Sequence, residues 1–113
     1  MNNNAAEYAL SIAQEIRENT RNGNPYGLND NGEPVTAWEY LDNVLDMEYT
    51  TTPQHEYLGS RIAITLGGPN AWIDTRAGEI VVYWGSDTAR EWLPGDFIDG
   101  LDEMLSENFV MDY

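Results

Sequence analysis

The stretch Glu56–Gly85, EYLGSRIAITLGGPNAWIDTRAGEIVVYWG, decides the fold. In its first third, Ile62, Ile64 and Leu66 alternate with Arg61, Ala63 and Thr65, the period of two of a half-buried strand. GGPN, Gly67 to Asn70, reads as a turn, and AWIDT as a short second strand. RAG then predicts a tight hairpin with Gly78 suited to positive φ, and EIVVYWG a third strand in which Ile80, Val82 and Trp84 oppose Glu79, Val81 and Tyr83. Three antiparallel strands joined by short loops make a meander. Three strands alone are marginal, so helices are expected to cover one face.

Those helices are predicted on both sides of the sheet in sequence. Thr36-Ala37-Trp38-Glu39 fits a capping box that opens a helix over Ala37 to Met47. Ala37, Leu41, Val44 and Leu45 share its inward stripe, leaving Glu39, Asp42, Asn43 and Asp46 outward. Asp42 and Asp46 then stand at i, i+4 and repel with no cation nearby in sequence. Further upstream, residues 2–4 are placed to cap a helix from Ala5 to Thr20, with Ala9, Ile12, Ala13 and Ile16 on one apolar face and Asn22-Gly23 as its stop. NGNPYGLNDNGEP between the two helices reads as an ordered loop of turns. Downstream, SDTAREWLPG fits a short strand, a turn or one helical turn. A last helix is predicted from Gly95 to Asn108, with Phe97, Ile98, Leu101, Met104 and Leu105 inward. Asp96, Asp99, Glu103 and Glu107 fall on its opposite side, with Asp102 beside them. The expectation is one α+β domain over residues 1–113, a three-stranded antiparallel meander packed with about three helices in the order α-α-β-β-β-α. Its buried sheet face would carry Ile62, Ile64, Leu66, Ile80 and Val82 against Leu41, Val44, Leu45, Leu101 and Leu105.

Charge narrows the function. Twenty Asp and Glu face five arginines, with no lysine, for a net charge of −15. Such a surface disfavours direct contact with nucleic acid or anionic lipid and favours fast association with a basic partner. Solubility and adaptation to high salt are the plainer readings of acidity. Eleven asparagines and a fair supply of Ile and Leu argue against a halophile, and 13 aromatic residues against disorder. There is no cysteine, which fits a reducing compartment. The segment MNNNAAEYALSIAQEI lacks the positive n-region of a leader, and no run approaches the roughly 20 apolar residues of a membrane span. A cytoplasmic protein is expected.

No catalytic signature is present. His55 is the only histidine and lies in TTPQHEY, a polar segment that reads as surface. G-x-S-x-G, P-loop, G-x-G-x-x-G and H-E-x-x-H patterns are absent, and the acidic spacing does not fit a calcium loop. A carboxylate pair of the glycosidase type is set by the fold rather than by spacing, but needs a larger scaffold with a deep cleft. The expectation is a protein that is not an enzyme, with no catalytic residues, no metal site and no cofactor. Trp72, Trp84, Trp92, Tyr83 and Phe97 read as core or its rim. Trp38 and Tyr40 flank Glu39 at a helix start, where an exposed aromatic within an acidic face has the character of an interface anchor.

The candidate partner-binding residues are therefore Trp38, Glu39, Tyr40, Asp42, Asp46, Asp99, Glu103 and Glu107. Carboxylates at helical steps on a small rigid domain, uninterrupted by lysine, suit the Lys- and Arg-lined grooves with which proteins hold DNA. With EYLDNVLDMEY and GEIVVYWG, the chain resembles the small acidic proteins carried by phages and conjugative elements. Some of these are anti-restriction or anti-CRISPR proteins acting as DNA mimics. The resemblance lies in size, acidity and the mix of helices with a three-stranded antiparallel sheet. It implies an inhibitor whose partner is the basic surface of a nuclease or of a restriction or CRISPR component. The alternatives are an immunity or adaptor protein that binds another basic partner, or a small acidic domain with a structural role.

Unpaired acidic runs at 30–56 and 87–112 predict that screening stabilises the fold. The melting temperature at neutral pH should rise between low and moderate NaCl. A melting temperature indifferent to salt would mean that the carboxylates are locally compensated.

Overall fold

The computed structural model describes residues 4–112, with side chains as far as Phe109. The α+β class holds, but the sheet has five strands rather than three. The elements in chain order are α1 (Asn4–Arg21), α2 (Ala37–Leu41), β1 (Asp46–Thr51), β2 (Tyr57–Thr65), β3 (Asn70–Asp74), β4 (Glu79–Trp84), β5 (Asp87–Trp92) and α3 (Gly95–Asp112). All neighbours pair antiparallel, in the spatial order β1-β2-β3-β4-β5. The three expected strands form the centre of this meander. Asn2 and Asn3, expected to help cap α1, lie outside the described residues.

Two corrections follow, each with a physical cause. The predicted helix over Ala37 to Met47 ends at Leu41; residues 42–45 form a turn, and its last two residues, Asp46 and Met47, open β1. The capping box itself forms: the Glu39 N–H donates to Thr36 Oγ1 at 3.1 Å and the Thr36 N–H to Glu39 Oε1 at 3.3 Å. A longer helix would have set Asp42, Asp46 and Glu48 at its negative C-terminal end with no cation to offset them. In β1, Met47 and Tyr49 turn inward while Asp46 and Glu48 turn outward, and the strand satisfies the open edge of β2 from Asp46↔Ala63 to Thr51↔Tyr57. Asp42 and Asp46 are therefore not neighbours on a helix. The second correction is β5, the segment with three readings. A two-residue loop, Gly85-Ser86, with Gly85 at φ 62°, returns the chain onto β4 from Trp84↔Asp87 to Glu79↔Trp92. Its pattern is weak because it is an edge strand with Ala89 as its apolar inward residue.

Register gathers the apolar residues on one face. Ile62, Ile73 and Ile80 stand side by side across β2, β3 and β4, all fully buried, with Ala71 and Val82 in the next row. α1 lies over β4 and β5, and α3 over β2. The small residues Ala5, Ala9 and Ala13 are fully buried along α1, so its backbone sits close on the sheet. Phe97, Leu101, Leu105 and Phe109 supply the buried stripe of α3. Of the expected core, Ile64, Leu41 and Val44 are partly buried, whereas Leu45 (59% exposed) and Leu66 (47% exposed) are at the surface. The helical stripe that would place Leu45 inward ends at Leu41, and the strand alternation that would place Leu66 inward ends at Thr65.

Gly100 shows why α3 and the 22–36 loop fit together. The Tyr26 hydroxyl donates to the Phe97 carbonyl at 2.7 Å and lies where a Cβ on residue 100 would stand. The Tyr26 ring completes a cluster with Tyr40 and Phe97, at centroid separations of 5.1–5.5 Å. α2 is docked on α3 by this cluster.

Leu101 is fully buried beneath α3. Leu101→Ala should lower stability by roughly 2–5 kcal/mol through lost burial plus a cavity. Chemical denaturation showing a loss below about 1 kcal/mol would mean that α3 does not hold the sheet as described.

Candidate interaction surface

The proposed contact residues divide by position. On α3, Asp96, Asp99, Glu103 and Glu107 are exposed at steps of three, four and four residues, and α3 contains no cation. On α2, Trp38 is 49% exposed, and Glu39 and Asp42 are exposed. Asp42 is the C-cap and Glu39 is committed in part to the capping box. Tyr40 is not a surface anchor: it packs in the aromatic cluster, and burial, with Glu15 adding to it, pushes its hydroxyl up to about 12. Asp46 lies apart, at the start of edge strand β1, where its carboxylate accepts its neighbour Met47's N–H at 2.8 Å. The structure thus brings Trp38, Glu39 and Asp42 onto the side of α3 that carries the aromatic cluster, and leaves Asp46 on the second face of the sheet.

Asp102 departs from its expected place beside the exposed row. It turns inward and pins α3 to the sheet. Its carboxylate accepts from the Tyr57 hydroxyl and from Thr75 Oγ1, the latter at 2.9 Å. Thr75 Oγ1 in turn accepts the buried Ser60 N–H at 2.9 Å, and the Ser60 hydroxyl lies 2.8 Å from that of Tyr57. Tyr57 gives its proton to Asp102, so Ser60 donates to Tyr57. Burial first, and then the bond to Asp102, pushes the Tyr57 hydroxyl up to about 12. The network is complete, with no unpaired buried side-chain N or O among the described residues. Both bonds to Asp102 end on Oδ1, and together they fasten α3 to β2 and to the turn after β3.

The second sheet face is covered by none of the three helices. Across it run Ala63, Trp72, Val81 and Arg90 in register, with Arg61, Asp74, Glu79 and Trp92 in the adjoining row. Ala63 and Val81 are buried there by their larger neighbours, and Arg61 lies over the Trp72 ring at 4.9 Å. Arg61 pairs with Glu48 at 3.6 Å, and Arg90 with Glu79.

Two clefts open on the helical side. A groove of about 310 Å³ runs between Tyr8, Ile12, Tyr26, Tyr40 and Ile64. A wider cleft of about 740 Å³ lies between the C-terminal half of α1 and the β5–α3 junction. Trp92 stands beside it, 61% exposed, contrary to its expected place in the core or its rim. Its register on edge strand β5 places it in the row that no helix covers, and Arg17 caps the ring: the guanidinium lies 4.0 Å from the Trp92 ring centroid, pairs with Glu91 at 2.8 Å and donates twice to the Trp92 carbonyl. His55 lines neither cleft; it is exposed in the β1–β2 turn at φ 64°. Among the described residues no group of three or more His, Asp or Glu side chains is placed to hold a metal ion, and no helix is long and apolar enough to cross a membrane. Comparison of the chain with protein-family models, curated proteins and solved structures gives no match.

Tyr26, Tyr40 and Tyr57 all have hydroxyls raised to about 12, each chiefly by burial. A folded-state value above the unfolded value near 10 gives stability that is fully present below about pH 10 and is lost as pH rises through about 12. Tyrosinate absorbance from these three should therefore appear together with loss of circular dichroism between about pH 10 and 12. Complete tyrosine titration with the fold intact would contradict the burial of these hydroxyls.

Proposed function

We propose that the protein is a non-catalytic acidic inhibitor that occupies a basic, nucleic-acid-binding groove on another protein, in the manner of a DNA mimic. A nuclease or other component of a host defence system is the partner class this reading favours. The observation that carries it is the exposed row Asp96, Asp99, Glu103 and Glu107 on α3, a helix without cations and anchored to the sheet by Asp102. At 1.5 Å per residue the row places one carboxylate every ~4.5–6 Å. One strand of duplex DNA carries a charge every ~3.4 Å along the axis. The row is thus sparser in charge than a DNA strand; Glu39 and Asp42 are further exposed carboxylates on α2, the helix docked on α3. Rigidity supports the reading as much as charge does, since a carboxylate held on a packed helix loses little freedom on binding.

Charge on a rim governs encounter more than residence. Reversal at Asp99 and Glu103 to lysine should slow association with the partner more than it speeds dissociation, and added salt should weaken the complex steeply. Duplex DNA should compete for the same partner surface in an equilibrium titration. A complex that survives saturating duplex, or a partner without a nucleic-acid site, would overturn mimicry and leave an immunity-type role in which a different basic protein is neutralised.

A further inference from the structure

We propose that the cleft beside Trp92 receives an arginine side chain of a basic protein partner; this rests on the reading above that the partner is basic, and adds where an anchoring residue docks. Arg17 is a fixed part of the wall, because its guanidinium is engaged by Glu91, by the Trp92 carbonyl and by the indole itself. Little of its charge is left for a ligand. The remaining charged lining is Arg21 against Glu18 and Asp96, an excess of carboxylate at the C-terminal and therefore negative end of α1. That balance, set within a chain of net charge −15, selects a cation over an anion.

The aromatic surface selects which cation. Trp92 is the most exposed large apolar side chain among the described residues, and Pro94 continues the apolar wall. A guanidinium stacks on an indole while forking to a carboxylate, whereas an ammonium stays more strongly hydrated. Tryptophan and arginine are also the residues that dominate protein–protein hot spots. A cleft of about 740 Å³ has room for an arginine together with the backbone on either side of it.

The test uses the full chain and three blocked tripeptides as probes, Gly-Arg-Gly, Gly-Lys-Gly and Gly-citrulline-Gly, at low salt. The indole N–H resonances of the four tryptophans are followed, with Trp92→Ala identifying the signal of interest. The arginine peptide should shift the Trp92 resonance selectively, the lysine peptide should bind several-fold more weakly, and the citrulline peptide should leave it in place. Glu18→Gln combined with Asp96→Asn should weaken the arginine peptide about tenfold, whereas Glu103→Lys with Glu107→Lys, remote from the cleft, should alter it only as screening does. An unmoved Trp92 resonance, or equal binding of the arginine and lysine peptides that persists in Trp92→Ala, would overturn the cleft as an arginine site. Neither result would bear on competition by duplex DNA, which reads the α3 row.

Discussion

Ile62, Ile73 and Ile80 lie in register across the three central strands with no side-chain surface left to water, and the rest of the chain is arranged around keeping that row dry. A meander places the strands, but it leaves the row open on one side. Closing it takes α1, which comes close because its contact positions are alanines, and α3, which brings the larger Phe97, Leu101 and Leu105. The two helices divide the sheet between them, α1 toward β5 and α3 toward β2. Widening the sheet to five strands matches its width to two helices, so the edge strands β1 and β5 are a consequence of covering the isoleucine row.

Acidity is accommodated at the seams. Among the described residues there are three ion pairs, and each joins neighbouring elements: Arg17 of α1 to Glu91 of β5, Arg61 of β2 to Glu48 of β1, and Arg90 of β5 to Glu79 of β4. Both edge strands are thereby tied inward by arginine. The more exposed pairs, Arg61–Glu48 and Arg90–Glu79, contribute at most about 1 kcal/mol each, while Arg17–Glu91 is half-buried. Their placement matters more than their strength, since a scarce cation at an edge removes repulsion where strands would otherwise fray. The carboxylates of α3 whose side chains are described have no such partners, and that helix is instead fastened by Asp102, part-buried in a hydrogen-bonded network with Tyr57, Thr75 and Ser60.

This separation gives the exposed row its character. Among the described side chains of α3, Asp102 is spent on structure, and Asp96, Asp99, Glu103 and Glu107 lie on the surface. None of these four is in an ion pair among the described residues, so their charge can act on a partner's field. Trp38 and Trp92 add exposed aromatic area at two places, one beside α2 and one at the cleft beyond α1.

The sequence by itself determined the parts whose signals are local. Period-two runs gave β2, β3 and β4; a hydroxyl and a carboxylate three residues apart gave the start of α2; helical spacing put Asp96, Asp99, Glu103 and Glu107 on one exposed side. Only the tertiary structure decided the rest. β1 could not be told from a helix because Leu41, Val44 and Leu45 mimic a helical stripe, and what overrides them is the unpaired edge of β2, a partner distant in sequence. β5 carries almost no apolar alternation, since an edge strand buries little and is defined by the backbone it pairs with. Tyr40 and Asp102 were read as surface because a tyrosine or a carboxylate shows its burial only when its partners are in place. For Tyr40 these are Tyr26 and Phe97; for Asp102, Tyr57 and Thr75. Trp92 is the converse: a large aromatic expected inside is exposed because β5 is an edge strand whose register turns it to the uncovered face, where Arg17, 75 residues away, caps the ring.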